Sequence, residues 1–176
     1  MKPRPVKIPR IFVKRLQALG PRFIRTAECA KGSIDKGWQK SENWMNADDP
    51  RLQDWLREGG NYGVACGFGL AVLDTDHPEI QKIVSTKFTP SLIVESLGHR
   101  SPHYYFISNL TGKMYLRAST GEHAGEILWE GFQALGPSSV HPNGGVYRII
   151  NDAPSPNLQG TAKGATWEPS SSRKRD

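Results

Sequence analysis

The chain has 176 residues, of which 37% are hydrophobic and 23% charged, the make-up of about one globular domain and not of a disordered chain. It is long enough to bury a core without disulfides or a structural metal. Its apolar stretches fall far short of the ~20 residues of a membrane span, its prolines rule out a signal-peptide reading of the basic start, and disulfide-scaffold, coiled-coil and collagen patterns are missing. Two cysteines, Cys29 and Cys66, are too few for a Cys-only zinc site and too far apart for a CxxC redox pair, which leaves two reduced thiols in a cytoplasmic protein.

The net charge is +6, unevenly spread. Lys2, Arg4, Lys7, Arg10, Lys14, Arg15, Arg22 and Arg25 all precede the first acid, Glu28, and the chain ends near Arg173-Lys174-Arg175. Basic ends attract nucleic-acid phosphates, and they serve equally as solubilising tails. In chain order, Ile11 to Leu19 places Phe12, Leu16 and Leu19 at helical spacing. Phe23-Ile24 reads as a short strand and 27–46 as a surface loop. Asp48 or Asp49 caps a helix with Pro50 in its first turn and a Gly59-Gly60 stop. Tyr62 to Cys66 and Leu70 to Leu73, parted by Gly67-Phe68-Gly69, predict a hairpin. A helix from Pro78 carries Ile80, Ile83 and Val84, and strands follow at 91–94, 103–107, 113–116, 126–129, 132–135 and 146–150. From Asn151 on, Pro, Ser, Gly and Lys predict a flexible tail. The expectation is α+β, a mainly antiparallel sheet with a few short helices, in three parts: a basic N-terminal segment (1–19), a folded domain (20–150) and a basic tail (151–176).

Three places can carry chemistry. After the apolar run Leu70 to Leu73 come Asp74-Thr75-Asp76. Aspartates at i and i+2 of a strand share a face, where they repel each other and are costly to bury without a cation; Mg²⁺ or Mn²⁺ suits such oxygen donors. The same residues also read as a solvated strand end with Asp76 capping the next helix. Glu126, opening the run Ile127-Leu128-Trp129, is the best third acid, with Glu122 and Glu130 as rivals on composition. Next, Gly98-His99-Arg100-Ser101-Pro102-His103 offers N–H, hydroxyl and cationic donors to a polyphosphate, or forms a plain loop. Last, the stretch 136–147 reads as a turn-rich connection before a final strand, or as a loop whose Ser, His141 and Asn143 line a pocket. No P-loop, GxGxxG fingerprint, zinc finger or supported nucleophile triad is present.

In order, these features resemble the bifunctional primase–polymerase (Prim-Pol) domain of the archaeo-eukaryotic primase superfamily. The matching residues are Leu73-Asp74-Thr75-Asp76-His77-Pro78, then Ser101-Pro102-His103-Tyr104-Tyr105-Phe106, then Glu126-Ile127-Leu128, then Pro137-Ser138 through His141-Pro142, Gly144 and Tyr147. Upstream, Lys36-Gly37-Trp38 and Asn61-Tyr62-Gly63-Val64-Ala65-Cys66-Gly67 look like the family's Lys…Trp loop and its Asn-x-Gly-Val strand. Pro137 follows Glu126 by eleven positions, the family spacing, which favours Glu126 over Glu130. The chain departs from the family in having Glu where many relatives have Asp, in Gly136 before the Pro-Ser pair, and in lacking a zinc-binding insert.

The resemblance implies an RRM-like primase–polymerase core in the replication of a plasmid, virus or mobile element. It implies template-directed nucleotidyl transfer by two divalent ions, Mg²⁺ or Mn²⁺, held by Asp74, Asp76 and Glu126. It implies dNTP or NTP binding by Arg100, Ser101 and His103, with His141 and Tyr147 lining the nucleotide or template side. Single-stranded template or primer-template would be held through basic residues such as Arg10, Lys14, Arg15 and Arg173, with a separate helicase as a candidate partner. Two rivals stand beside it. A nucleotide-sugar transferase also uses DxD but usually needs a longer chain, and a non-catalytic module with a degenerate primase fold would bind nucleotide or nucleic acid only.

Overall fold

A computed structural model describes residues 10–87, 92–97, 101–108 and 113–152. Arg100, Arg173 and nearly all of the expected tail lie outside these residues. The elements are α1 (Lys14–Gln17), β1 (Phe23–Thr26), a 3₁₀ turn (Ser41–Asn43), α2 (Pro50–Arg57), β2 (Asn61–Ala65), β3 (Gly69–Thr75), α3 (Pro78–Lys87), β4 (Leu92–Ser96), β5 (Pro102–Ser108), β6 (Lys113–Arg117), β7 (His123–Leu128), β8 (Gln133–Leu135) and β9 (Tyr147–Asn151). They form two sheets, ordered β1-β2-β8 and β6-β7-β3-β5-β4-β9, with every pairing antiparallel. The fold is α+β, as the sequence predicts. No helix among the described residues is long and apolar enough to cross a membrane.

Alternation along the strands of the larger sheet sorts their side chains onto two faces. One face carries Leu70 and Val72 of β3, Tyr105 of β5, Leu128 of β7 and Leu92 of β4. It shares a core with Phe23, Tyr62, Val64, Ala134 and Leu135 of the small sheet. The opposite face buries Leu73, Tyr104, Leu116 and Ala124 with Val84 of α3. Helix α2 forms where capping predicts it. The Asp49 carboxylate accepts the Arg51 N–H at 2.9 Å and Pro50 occupies the first turn.

Three local expectations are overturned. β2 and β3 do not pair: a single bridge between Gly67 and Leu70 closes the link between them, and the two strands enter different sheets. β2 is buried throughout and β3 along most of its length, and each has both edges taken by other strands, β2 by β1 and β8 and β3 by β7 and β5. The N-terminal helix shrinks to Lys14–Gln17 because the residues before it are held on the small sheet. Ile11 N–H donates to Ser138 Oγ at 2.7 Å, and Tyr62 Oη donates to Ile11 O. Phe12 packs edge-on against Phe23 and tilted against Tyr62, and Val13 and Leu16 are buried, so the packed core begins before residue 20. Finally, β7 starts at His123, which puts Glu126 inside the strand and not at its opening.

Candidate active site

The central strand β3 leaves the core at Asp74. Two residues beyond Val72 on the same face, Asp74 pairs with Glu126 of β7 on one side and with His103 of β5 on the other. Directly opposed residues in antiparallel strands point the same way, with Cβ atoms about 4.5–5.5 Å apart. The three side chains therefore form one row across three strands, immediately above the apolar row Leu128, Val72 and Tyr105. The row lines a cavity of about 400 Å³, closed by Lys31, Trp38 and Phe132 and by Tyr147 from β9. Of the three acids that composition left open, Glu126 alone lines this cavity. Glu122 is paired with His77 Nε2 at 3.1 Å, and Glu130 lies beside Gly67 in the turn after β7.

Gly125 makes the carboxylate row possible. It has φ +142°, and a Cβ on it would lie 2.2 Å from the Asp74 carbonyl oxygen. Without a side chain there, β7 closes directly on the backbone that carries Asp74. Gly136 answers a similar need. A Cβ on it would meet the Tyr62 ring at 2.0 Å, which accounts for the glycine before the Pro-Ser pair.

His103 is buried, and its Nε2 stands 3.4 Å from Asp74 Oδ1. That distance is longer than an ordinary N–H···O bond, and Oδ1 is buried with no hydrogen-bond partner, as is His103 Nδ1. Burial pushes the Asp74 carboxyl up, but His103, Lys31 and His123 outweigh it and hold it below the ordinary carboxylate value. Tyr147 lies between two imidazoles, its ring 5.3 Å from His103 and 5.9 Å from His141. Burial, then the Asp74 and Asp76 charges, push its hydroxyl pKa upward. His141 is buried behind Tyr147 and outside the cavity lining, and Asn143 N–H donates to its Nδ1 at 3.2 Å.

Asp76 is exposed beyond the end of β3. Its N–H donates to Ala124 O at 3.1 Å, and its Oδ2 is 3.4 Å from His123 Nε2. Ser101 is half-buried just before β5 and does not line the cavity. Among the described residues no group of three His, Cys, Asp or Glu side chains forms a ready cation cage. The donor set nevertheless suits a hard divalent ion. Asp74 and Glu126 offer adjacent carboxylates, one with a buried oxygen lacking a partner, and Mg²⁺ is usually held by one or two carboxylates completed by substrate phosphates and water. Lys31 is the cation that sequence reasoning missed; a single lysine in a polar loop carries no spacing signal.

The basic residues divide. The Arg10 guanidinium is half-buried and donates to Gly60 O at 3.0 and 3.1 Å, to Gly59 O at 3.3 Å and to Ser138 O, so its donors clamp loops. Arg15 pairs with Asp152 at 2.8 Å. Lys14 is exposed on α1.

A search of the curated proteins found no match. A family model described as bifunctional DNA primase/polymerase, N-terminal (Prim-Pol), matches residues 7–161, a span that takes in both sheets and every residue of the cavity. The chain belongs to the bifunctional DNA primase/polymerase N-terminal family.

Proposed function

We propose that the chain is a template-directed nucleotidyltransferase that joins dNTPs or NTPs to a growing strand in the replication of a plasmid, virus or mobile element. The family supports a primase/polymerase-type function. The observation that carries the finer reading is the row Glu126–Asp74–His103 on the wall of one cavity. Mg²⁺ or Mn²⁺ held by Asp74 and Glu126, with Asp76 exposed just beyond the end of β3, would supply charge neutralisation on the triphosphate and a lowered pKa for the attacking hydroxyl.

The chain's own groups divide the remaining work. His103, held in the sheet by burial, offers an imidazole N–H to a phosphate oxygen, and Lys31 adds a positive charge at the same wall. The family resemblance also implies triphosphate contacts from Arg100 and Ser101; Ser101 stands just before β5, outside the cavity lining. Tyr147, packed against His103, holds that ring's orientation and closes the cavity on the β9 side. Exposed lysines such as Lys14 attract the template through its phosphates, an attraction that weakens as salt rises.

Extension of a labelled primer on a single-stranded template, in Mg²⁺ and separately in Mn²⁺, tests this reading. Template-directed incorporation is expected. Binding of single-stranded DNA with no binding of a triphosphate in either metal would contradict it and leave a non-catalytic module.

A further inference from the structure

The row that carries His103, Asp74 and Glu126 continues to the edge of the sheet. Tyr115 of β6 is the cross-strand partner of Glu126. It therefore stands on the carboxylate face, two strand spacings from Asp74, or about 10 Å. It is 61% exposed, although it is the middle residue of its strand. Its ring meets His123 edge-on, with centroids 6.1 Å apart and planes at 64°, and His123 Nε2 is 3.4 Å from Asp76 Oδ2. Single exposed aromatics are ordinary on protein surfaces. This one differs in its address: the strand register sets it beside the acidic row, and its ring rests edge-on against His123, which in turn approaches Asp76.

An oriented, wet aromatic ring is the platform on which a nucleobase stacks, and any base provides the matching face. We infer that Tyr115 stacks a nucleobase whose phosphates lie in the Asp74–Glu126 cavity. The inference rests on the reading of that cavity as a phosphate-transfer site. The base belongs either to the incoming triphosphate or to the terminal residue of the nucleic-acid strand; the ring's chemistry is the same for both.

Binding of three probes with Mn²⁺ tests the inference on the whole chain: dATP, inorganic tripolyphosphate, which has no base, and an oligothymidylate. Tyr115→Ala should weaken one base-bearing probe about tenfold, the scale of a lost base–aromatic stack, while tripolyphosphate binds as before. Loss confined to dATP assigns the incoming nucleotide, and loss confined to the oligonucleotide assigns the strand. Tyr115→Phe should bind like the wild type. Tyr115→Leu, which suits an edge strand, should reproduce the loss if the alanine variant folds poorly. Unchanged binding of both base-bearing probes by a folded variant overturns the inference and leaves the function intact. Equal loss of tripolyphosphate also overturns it, because the ring would then be acting on the site's shape. If the wild type binds neither dATP nor tripolyphosphate, the phosphate-site reading fails and takes the inference with it.

Discussion

Asp74 and Glu126 face each other across β3 and β7, two carboxylates in register on the wall of one cavity. Like charges directly opposed in an antiparallel pair destabilise it. A divalent ion between them would reverse the sign. Glu126→Gln should therefore melt at the wild-type temperature or slightly above it in chelator, and should gain little from added Mn²⁺. The wild type should gain about 2.7 kcal/mol when the ion stands at 100 times its dissociation constant. Thermal melts with and without Mn²⁺ make the comparison.

Gly125 sets the distance between those two strands. Gly125→Ala would push a methyl group into the Asp74 carbonyl, and backbone cannot yield as a flexible side chain does. The expected loss is about 1–3 kcal/mol of stability. Nucleotide incorporation should also fall, even at temperatures where the variant stays folded. Denaturant melts paired with single-turnover extension separate the two effects.

Arg10 and Lys14 are four residues apart in the same basic segment and should behave oppositely. Arg10→Ala leaves the carbonyls of Gly59, Gly60 and Ser138 without their donor and should cost about 1–3 kcal/mol of stability, with nucleic-acid affinity little changed. Lys14→Ala should leave the melt unchanged and lower the slope of log affinity against log salt by about 1. Melts and salt titrations on single-stranded DNA check both.

The thiols report on the core. Burial pushes the Cys66 thiol up to about 12, so it is protonated and shielded at pH 8, while Cys29 is exposed. An alkylating reagent should modify Cys29 in the native protein and reach Cys66 only as the chain unfolds. Mass mapping after graded denaturant gives the order. Prompt native labelling of Cys66 would contradict the burial of β2 against β8.

What the sequence made legible was local and strongly signalled. Asp49-Pro50 and Gly59-Gly60 bracket α2 through capping chemistry, and the apolar run into Asp74 marks β3 because central strands are buried on both faces. Glu126 was marked as the third acid by the apolar run that follows it and by the family spacing, but its direct pairing with Asp74 was not legible, since register between distant strands leaves no local trace. The true start of β7 was hidden because His123, Ala124 and Gly125 do not form an apolar run; they pair by backbone, and the glycine is there for close approach. Phe12 and Leu16 were legible as an apolar face at helical spacing, but their seat on the core of Phe23 and Tyr62 was not, and the short Gly67-Phe68-Gly69 link suggested a hairpin where the chain instead passes between sheets. Tyr115 and Lys31 carry no sequence signal, because their place depends on which strands become neighbours.

The most direct test is primer extension by Asp74→Ala/Asp76→Ala beside the wild type, in Mg²⁺ and in Mn²⁺, with melting curves for both proteins. The account predicts incorporation by the wild type, none above background by the double variant, and a melt for the variant near that of the wild type. Extension by the folded double variant at a rate comparable to the wild type would contradict it.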